Sequence, residues 1–330
     1  MNKKITYIFR KRLPQYNSIE ELFSTIEEGV SEVYPTGTKI LRYSGASPII
    51  IIKNLFSFKK KKNDLQHITG DIHYMAIVTG NYSVLTIHDV KSASSGNILK
   101  TLYIRFFWFW LPAFSVRRIT VISEFTKREL SKIIPFAKDK IRVVNNPVNA
   151  ELKPSSYIFN SERPNILLIG TKPNKNLERI FEALENYSCQ LTIIGELSSN
   201  QAKILQKLNI DFKNKKYLLF EDVISCYENC DLLCFPSIYE GFGMPIIEAQ
   251  AIGRPVLTSN FGAMLEISGD SACLVDPFDV GSIKNGIYKI CNDENYRQEL
   301  INKGFQNIER FQIQNITKQY IAVYNEVFND

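Results

Sequence analysis

The chain has 330 residues, of which 45% are hydrophobic and 22% charged, with 40 Lys and Arg against 34 Asp and Glu. That length suits about two domains, and that composition excludes a disordered chain, a collagen and a small disulfide-stapled scaffold. Residues 1–150 carry 23 Lys and Arg against 11 Asp and Glu, a net of +12, whereas residues 151–330 carry 17 against 23, a net of −6. A basic half joined to an acidic half indicates that the two meet different partners.

In chain order, the apolar runs 4–9 (KITYIF), 38–44, 64–70, 83–89, 117–123 and 141–147 predict short buried strands. The first of them is too short to be the core of a signal peptide, so a cytoplasmic chain is expected. A helix is predicted from Ser18, whose hydroxyl would cap it while Glu21 reaches back, and another over 124–134. The longest apolar run, 106–114, has nine residues including Pro112. A membrane-spanning helix needs ~20. Residues 148–164 are polar, hold two prolines and read as a linker.

The second half repeats the alternation. Strands are predicted over 164–170, 190–195, 231–237, 255–259 and 272–277, and helices over 176–186, 222–229, 244–251, 279–292 and 293–310. Strands alternating with helices imply parallel sheets covered on both faces. The fold class is therefore α/β: two doubly wound, Rossmann-like domains, 1–152 and 153–310, facing across a cleft. A terminal helix, 311–330, would pack back on the first domain. Six cysteines all lie at or after position 189 and form no C-x-x-C pair. Cys226, Cys230 and Cys234 are evenly spaced, but Cys234 falls in the strand-like run DLLCF, so buried thiols are expected rather than a metal face.

The most informative stretch, residues 235–255, reads FPSIYEGFGMPIIEAQAIGRP. A strand ends at Phe235, a loop with Gly241 and Gly243 follows, and a helix opens with Pro245 in its first turn, where a missing N–H is harmless. Free N–H groups and the helix dipole at such a start favour an anion, and the glycines let a ligand approach the backbone. Two carboxylates, Glu240 and Glu248, flank this element and suit sugar hydroxyls.

Glu240 and Glu248 enclose seven residues, and this segment, with EISGDSACLVDP after it, resembles the E-x7-E signature of glycosyltransferase family 4, retaining enzymes of the GT-B fold. Residues 169–177 (IGTKPNKNL), 86–89 (TIHD) and 121–124 (VISE) resemble further elements of that family, so the resemblance covers roughly residues 64–310.

The resemblance implies a role for each matching position. Glu248 would bind the nucleotide ribose, and Glu240 the donor-sugar hydroxyls near the anomeric carbon. Backbone groups of Phe242, Gly243 and Met244 would contact sugar and diphosphate, and Lys175 would neutralise the leaving diphosphate. His88 would stand beside the reacting sugar, which makes Glu240 and His88 the catalytic candidates. Two departures stand out. Thr171 occupies a place where many members carry a second basic residue. Arg10, Lys11 and Arg12 occupy a usually glycine-rich loop, where they would supply that missing charge or bind acceptor. Asp71 and His73 follow a strand end and are read as lining the site. His67, Asp71, His73 and His88 are read as structural or acceptor-facing; no metal is expected. Gly262 and Glu266 stay open between loop structure and donor contact.

The implied activity is transfer of a hexosyl group, with retention, from a UDP- or GDP-linked sugar to an acceptor hydroxyl. The acceptor would be a glycan or a lipid-linked acceptor in cell-surface polysaccharide synthesis. No cofactor beyond the nucleotide-sugar donor is implied. The lysines at 59–62 and the run FFWFW, between Lys100 and Arg105 on one side and Arg117 and Arg118 on the other, fit peripheral attachment to an anionic membrane surface, the inner face of the plasma membrane. Nucleic acid is not expected, since no recognition motif is present. A GT-B sugar-nucleotide epimerase and a non-catalytic nucleotide-sugar or glycan-binding protein are the alternatives. A dehydrogenase is disfavoured because no G-x-G-x-x-G follows an early strand.

Overall fold

The computed structural model describes residues 3–11, 18–45, 47–61, 63–94 and 97–329. Arg12, Lys62 and the capping side chain of Ser18 lie outside the described residues. The chain divides into two compact units, Met1–Pro147 with Ile313–Asp330, and Val148–Gln312.

Unit 1 carries the strands β1 (Lys4–Phe9), β2 (Thr36–Ile40), β3 (Asp64–Ile68), β4 (Ser83–Ile87), β5 (Arg118–Val121) and β6 (Ile141–Val143). All pair in parallel, in the order β2-β1-β3-β4-β5-β6. Its helices are α1 (Ser18–Ser31), α2 (Pro48–Ser57), α3 (Ala76–Thr79), α4 (Ile98–Ile104), α5 (Leu111–Ser115) and α6 (Glu124–Ile133). A π-type turn, Arg105–Trp110, joins α4 to α5.

Unit 2 carries β7 (Asn165–Ile169), β8 (Gln190–Ile194), β9 (Asp211–Lys215), β10 (Leu232–Phe235), β11 (Val256–Ser259) and β12 (Cys273–Val275). Their order, β12-β11-β10-β7-β8-β9, is again all parallel. The helices are α7 (Leu177–Ala183), α8 (Ser199–Lys207), α9 (Phe220–Glu228), α10 (Met244–Ile252), α11 (Gly262–Ser268), α12 (Val280–Asn292) and α13 (Glu294–Ile308). The strand order reverses between β7 and β10. In such sheets the carboxyl ends beside the reversal are where ligands bind.

Central strands are buried on both faces, as in β3, β4 and β10, because helices cover the sheet on each side. The edge strands departed from their predicted bounds. The run 38–44 is strand only as β2, which ends at Ile40, and 141–147 only as β6, which ends at Val143. β9 (DFKNK) was not predicted, for it is a polar, half-exposed edge.

The last helix, α14 (Ile313–Asn329), returns to unit 1 and buries Ile316, Tyr320, Val323 and Tyr324 against Tyr7, Phe23 and Ile26. His67 binds the Tyr324 hydroxyl at 2.7 Å through Nδ1 and Thr86 Oγ1 at 2.8 Å through Nε2. Burial holds its pKa down at about 3, so the ring is a neutral structural bridge. Glu326 closes the far end, accepting from Arg118 at 2.6 Å and from Arg142 at 2.8 Å. All six cysteines are buried free thiols, and burial pushes Cys230 and Cys234 up.

Candidate active site

The candidate donor site lies in unit 2, where β7 and β10 end. After β7, Gly170 takes φ +86°, a short 3-10 turn spans Pro173–Lys175, and Asn176 takes φ 64° before α7. After β10 comes the segment 236–243, ending in Gly243 at φ 112°, where α10 starts with no side chain capping its first turn. Backbone N–H groups at such a start have no intrahelical partner and form a natural anion site.

Two asparagines stitch the two loops together. Asn174 Nδ2 donates to Tyr239 O and to Glu240 Oε1, both at 2.9 Å, and Asn174 O accepts from Ile238 N at 2.9 Å. Asn176 is buried, and its Nδ2 donates to Pro236 O and Pro277 O at 3.2 and 2.7 Å. The result is a fixed ion pair, Lys175 Nζ to Glu240 Oε1 at 2.8 Å, with each side chain 17% exposed. Lys175 Nζ also stands 4.5 Å from the Phe235 ring centroid. Thr171 contributes no charge and donates its hydroxyl to Glu196 O at 2.6 Å.

Gly170 shapes this pair. A Cβ there would lie 2.7 Å from Lys175 Cε, in a backbone conformation that L side chains rarely adopt. Gly170→Ala is therefore expected to cost about 1–2 kcal/mol of stability and to push the lysine stem off Glu240. A melting curve and the donor KM, measured together, check both effects.

Glu248 lies in the second turn of α10, part-buried, and its Oε2 accepts from Tyr227 OH at 2.6 Å. Burial raises its pKa, while the Tyr227 bond and Lys175 pull it back. Tyr227 is fully buried at the end of α9. That end is pinned by Arg254, itself 1% exposed, which donates to Tyr227 O at 3.1 Å and Glu228 O at 2.7 Å and stacks on Tyr157 at 3.7 Å. Tyr227→Phe removes the larger of the two influences that lower the Glu248 pKa, so that pKa should rise further. Nucleotide affinity should then begin to fall at a higher pH on acidification than in the wild type. Calorimetric titrations of the nucleotide from neutral to acidic pH read this shift.

Of the predicted donor-side residues, the structure gathers Thr171, Lys175, Glu240, Gly243, Met244 and Glu248 on this sheet edge. Phe242 is 3% exposed and packs edge-on against Phe311, so only its backbone is offered. Asn174, Asn176, Tyr227 and Arg254 went unassigned in the sequence reading, because their roles come from contacts between loops distant along the chain.

In unit 1, Arg10 follows β1 and its guanidinium is held by Glu20 Oε1 at 2.7 Å and by Asp71 Oδ2 at 3.3 Å. Glu20 is 2% exposed and Asp71 largely exposed, so the charge of Arg10 is partly offset from within its own unit. His88 follows β4, and its Nε2 lies 3.0 Å from Thr69 O. A carbonyl only accepts, so Nε2 carries the proton and Nδ1 is the free acceptor. His73 Nδ1 likewise donates to Trp108 O at 2.8 Å. Burial holds both rings below the usual histidine range, hence neutral. Among the described residues no three His, Cys, Asp or Glu gather as a metal set.

Residues 150–307 match the family model for glycosyl transferases group 1, and residues 26–152 match that for glycosyltransferase family 4. The chain belongs to the family 4 glycosyltransferases. It is 25% identical over 232 residues to O-antigen chain mannosyltransferase B of Escherichia coli, covering 64% of this chain and 61% of that protein. It is 28% identical over 254 residues to O-antigen chain mannosyltransferase RfbU of Salmonella typhimurium, covering 73% and 68%. With the capsular polysaccharide biosynthesis glycosyltransferase CapM of Staphylococcus aureus it shares 30% identity over 147 residues, 43% of this chain and 39% of that one. The matches thus span 39–68% of the length of these relatives. Among solved structures, HepE of Anabaena, in complex with UDP and glucose, superposes with a TM-score of 0.78 at 14% identity, covering 98% of this chain and 100% of that one. A glycosyltransferase of Rickettsia africae superposes with 0.75 at 17% identity, covering 99% of each. The fold of this family 4 glycosyltransferase is GT-B.

Proposed function

We propose that this glycosyltransferase transfers a hexosyl group from a UDP- or GDP-sugar to an acceptor hydroxyl with retention at the anomeric carbon. The observation that carries the reading is the Lys175–Glu240 ion pair beside the uncapped start of α10. It sets a cation and a helix N-terminus for a diphosphate next to a carboxylate for a sugar. The bond from the anomeric carbon to the diphosphate oxygen breaks as the acceptor oxygen bonds the same face. The leaving phosphate oxygen takes the acceptor proton, and Lys175 with the N–H groups of α10 stabilises the departing charge. Glu248 receives the ribose hydroxyls, and His88, in unit 1, offers Nδ1 as an acceptor for a sugar hydroxyl. Relatives named for O-antigen chain and capsular polysaccharide synthesis support an acceptor among cell-surface glycans, free or lipid-linked. The net +12 of the first half supports work on an anionic membrane surface on the cytoplasmic side. Among the described residues no helix is long and apolar enough to cross a membrane.

The test is a thermal-shift screen of nucleotides and nucleotide sugars, where a ligand at 100 times its Kd should stabilise by about 2.7 kcal/mol. The donor found is then incubated with glycan acceptors and the new linkage read by NMR. An anomeric configuration matching the donor supports the proposal, and an inverted one contradicts it. Donor turnover without any acceptor would point to an epimerase, and binding without turnover to a non-catalytic protein.

A further inference from the structure

Two stretches of unit 1 hold no acidic residue. Residues 33–63 carry seven Lys and Arg, and residues 90–123 carry five. Each stretch contains a helix that turns apolar side chains outward. In α2 the buried positions are Ile51 and Asn54, whereas Ile49, Ile52 and Phe56 are 67%, 52% and 89% exposed. In α4 no residue is buried, and Ile98, Leu99 and Leu102 are 79%, 78% and 48% exposed. A helix on a protein surface ordinarily presents its polar face to water. Single exposed apolar residues are common, but a stripe at i, i+3 and i+7 on one helix, with a second helix of the same unit also exposing apolar side chains, marks an interaction surface.

Beneath their exposed faces the two helices are linked through one buried side chain. Asn54 of α2 donates to the Tyr74 hydroxyl at 3.0 Å, and the Tyr74 ring meets that of Trp108, in the turn that continues α4, at 6.0 Å. Cations border the stripes. Lys39 donates to Lys59 O and Lys60 to Thr79 O, which fastens the segment after α2 to its own unit. Lys53, Lys59, Lys61 and Lys100 are exposed, with no carboxylate paired to them among the described residues.

This chemistry selects the partner. A second copy of the chain would set like charges against one another, and protein interfaces are poor in lysine. A bilayer with anionic headgroups accepts the apolar stripes at the boundary with its acyl chains and the lysines at its phosphates. We propose that α2 and α4 together seat unit 1 on an anionic bilayer, Ile49, Ile52, Phe56, Ile98 and Leu99 entering the interface. This deepens the membrane part of the proposed function. It does not depend on the transfer chemistry, so failure of vesicle binding and failure of donor turnover are separate results.

The experiment is co-sedimentation of the full chain with vesicles of phosphatidylcholine alone and of phosphatidylcholine mixed with phosphatidylglycerol, at low and high salt. The wild type should bind the anionic vesicles, bind the neutral ones far more weakly, and keep part of its binding at high salt. Ile49→Ser/Ile52→Ser/Phe56→Ser should lower partitioning at least about tenfold through lost apolar burial. Lys53→Ser/Lys59→Ser/Lys61→Ser should lower it about fivefold per charge at low salt. All six side chains are exposed or at the surface, and a melting curve confirms folding; Ile98→Ser/Leu99→Ser repeats the test on the second helix. Equal binding to neutral and anionic vesicles, or wild-type binding by the variants, overturns the proposal. So does a dimer that the apolar variant abolishes while no vesicle is bound, which would assign the face to a second copy.

Discussion

Glu240→Gln is expected to lower kcat by about 10²–10³ while nucleoside-diphosphate affinity stays unchanged or tightens. Glu240 Oε1 is 2.8 Å from Lys175 Nζ and 2.9 Å from Asn174 Nδ2, so its position is fixed by both neighbours. In the proposed transfer positive charge grows on the sugar ring as the diphosphate departs, and a carboxylate there would be attracted more in the transition state than in the ground state. Only such differential interactions raise turnover. Gln keeps the size and an acceptor oxygen, so Asn174 keeps its partner and the loop its shape. It also frees the Lys175 ammonium from a competing anion, which is why diphosphate affinity should not fall. The readouts are kcat, donor KM, diphosphate Kd and a melting curve. A rise in KM with kcat intact would make Glu240 a binding residue only.

Lys175→Met should act in the opposite direction on affinity. Its ammonium is the cation that the 2.8 Å contact brings to this loop, and Thr171, at the place of a second basic residue, carries no charge. With Met at position 175, Glu240 remains as an anion held by Asn174, and the site repels a diphosphate. Loss of a hydrogen bond to a charged group costs about 1.5–3 kcal/mol, a weakening of roughly 10- to 150-fold for the nucleoside diphosphate. Turnover should fall as well, because in the proposed transfer the same cation stabilises the leaving group. A nucleoside without phosphates should bind both proteins alike. Calorimetry with nucleoside and diphosphate side by side separates these expectations; equal weakening of both ligands would mean that the substitution deformed the pocket.

Tyr227→Phe and Gly170→Ala probe the supports of this site rather than its charges, and the origin of those supports explains what the sequence could reveal. Glu240, Gly243 and Glu248 belong to one continuous segment, so the family resemblance of that segment implied their roles together. The role of Lys175 was implied in the same way, by the resemblance of its own local turn. Asn174 and Asn176 look like ordinary loop asparagines, and Tyr227 and Arg254 like a helix end and a turn. Their importance arises only when β7 and β10 lie side by side and α9 meets α10. The same logic governs the strands. β7 (NILLI) and β10 (LLCF) are covered on both faces and read as unbroken apolar runs, whereas β9 (DFKNK) and β2 (TGTKI) are half-solvated edges whose composition resembles a loop. The helix α2 (PIIIIKNLFS) also escaped the sequence reading: its apolar residues face both the core and the surface, so no helical period emerges.

In the proposed function the carboxyl edge of β7 and β10 holds a nucleoside-diphosphate sugar, with Glu248 on the ribose and Lys175 on the diphosphate. Calorimetric titration of UDP and GDP into the wild type and Glu248→Ala tests it most directly. One of the two should bind the wild type with one site per chain. The substitution should weaken that diphosphate and its sugar-linked donor by a similar factor, about 10- to 150-fold, because the ribose is common to both. Unchanged affinity of Glu248→Ala, or no binding of either nucleotide to the wild type, would contradict the account.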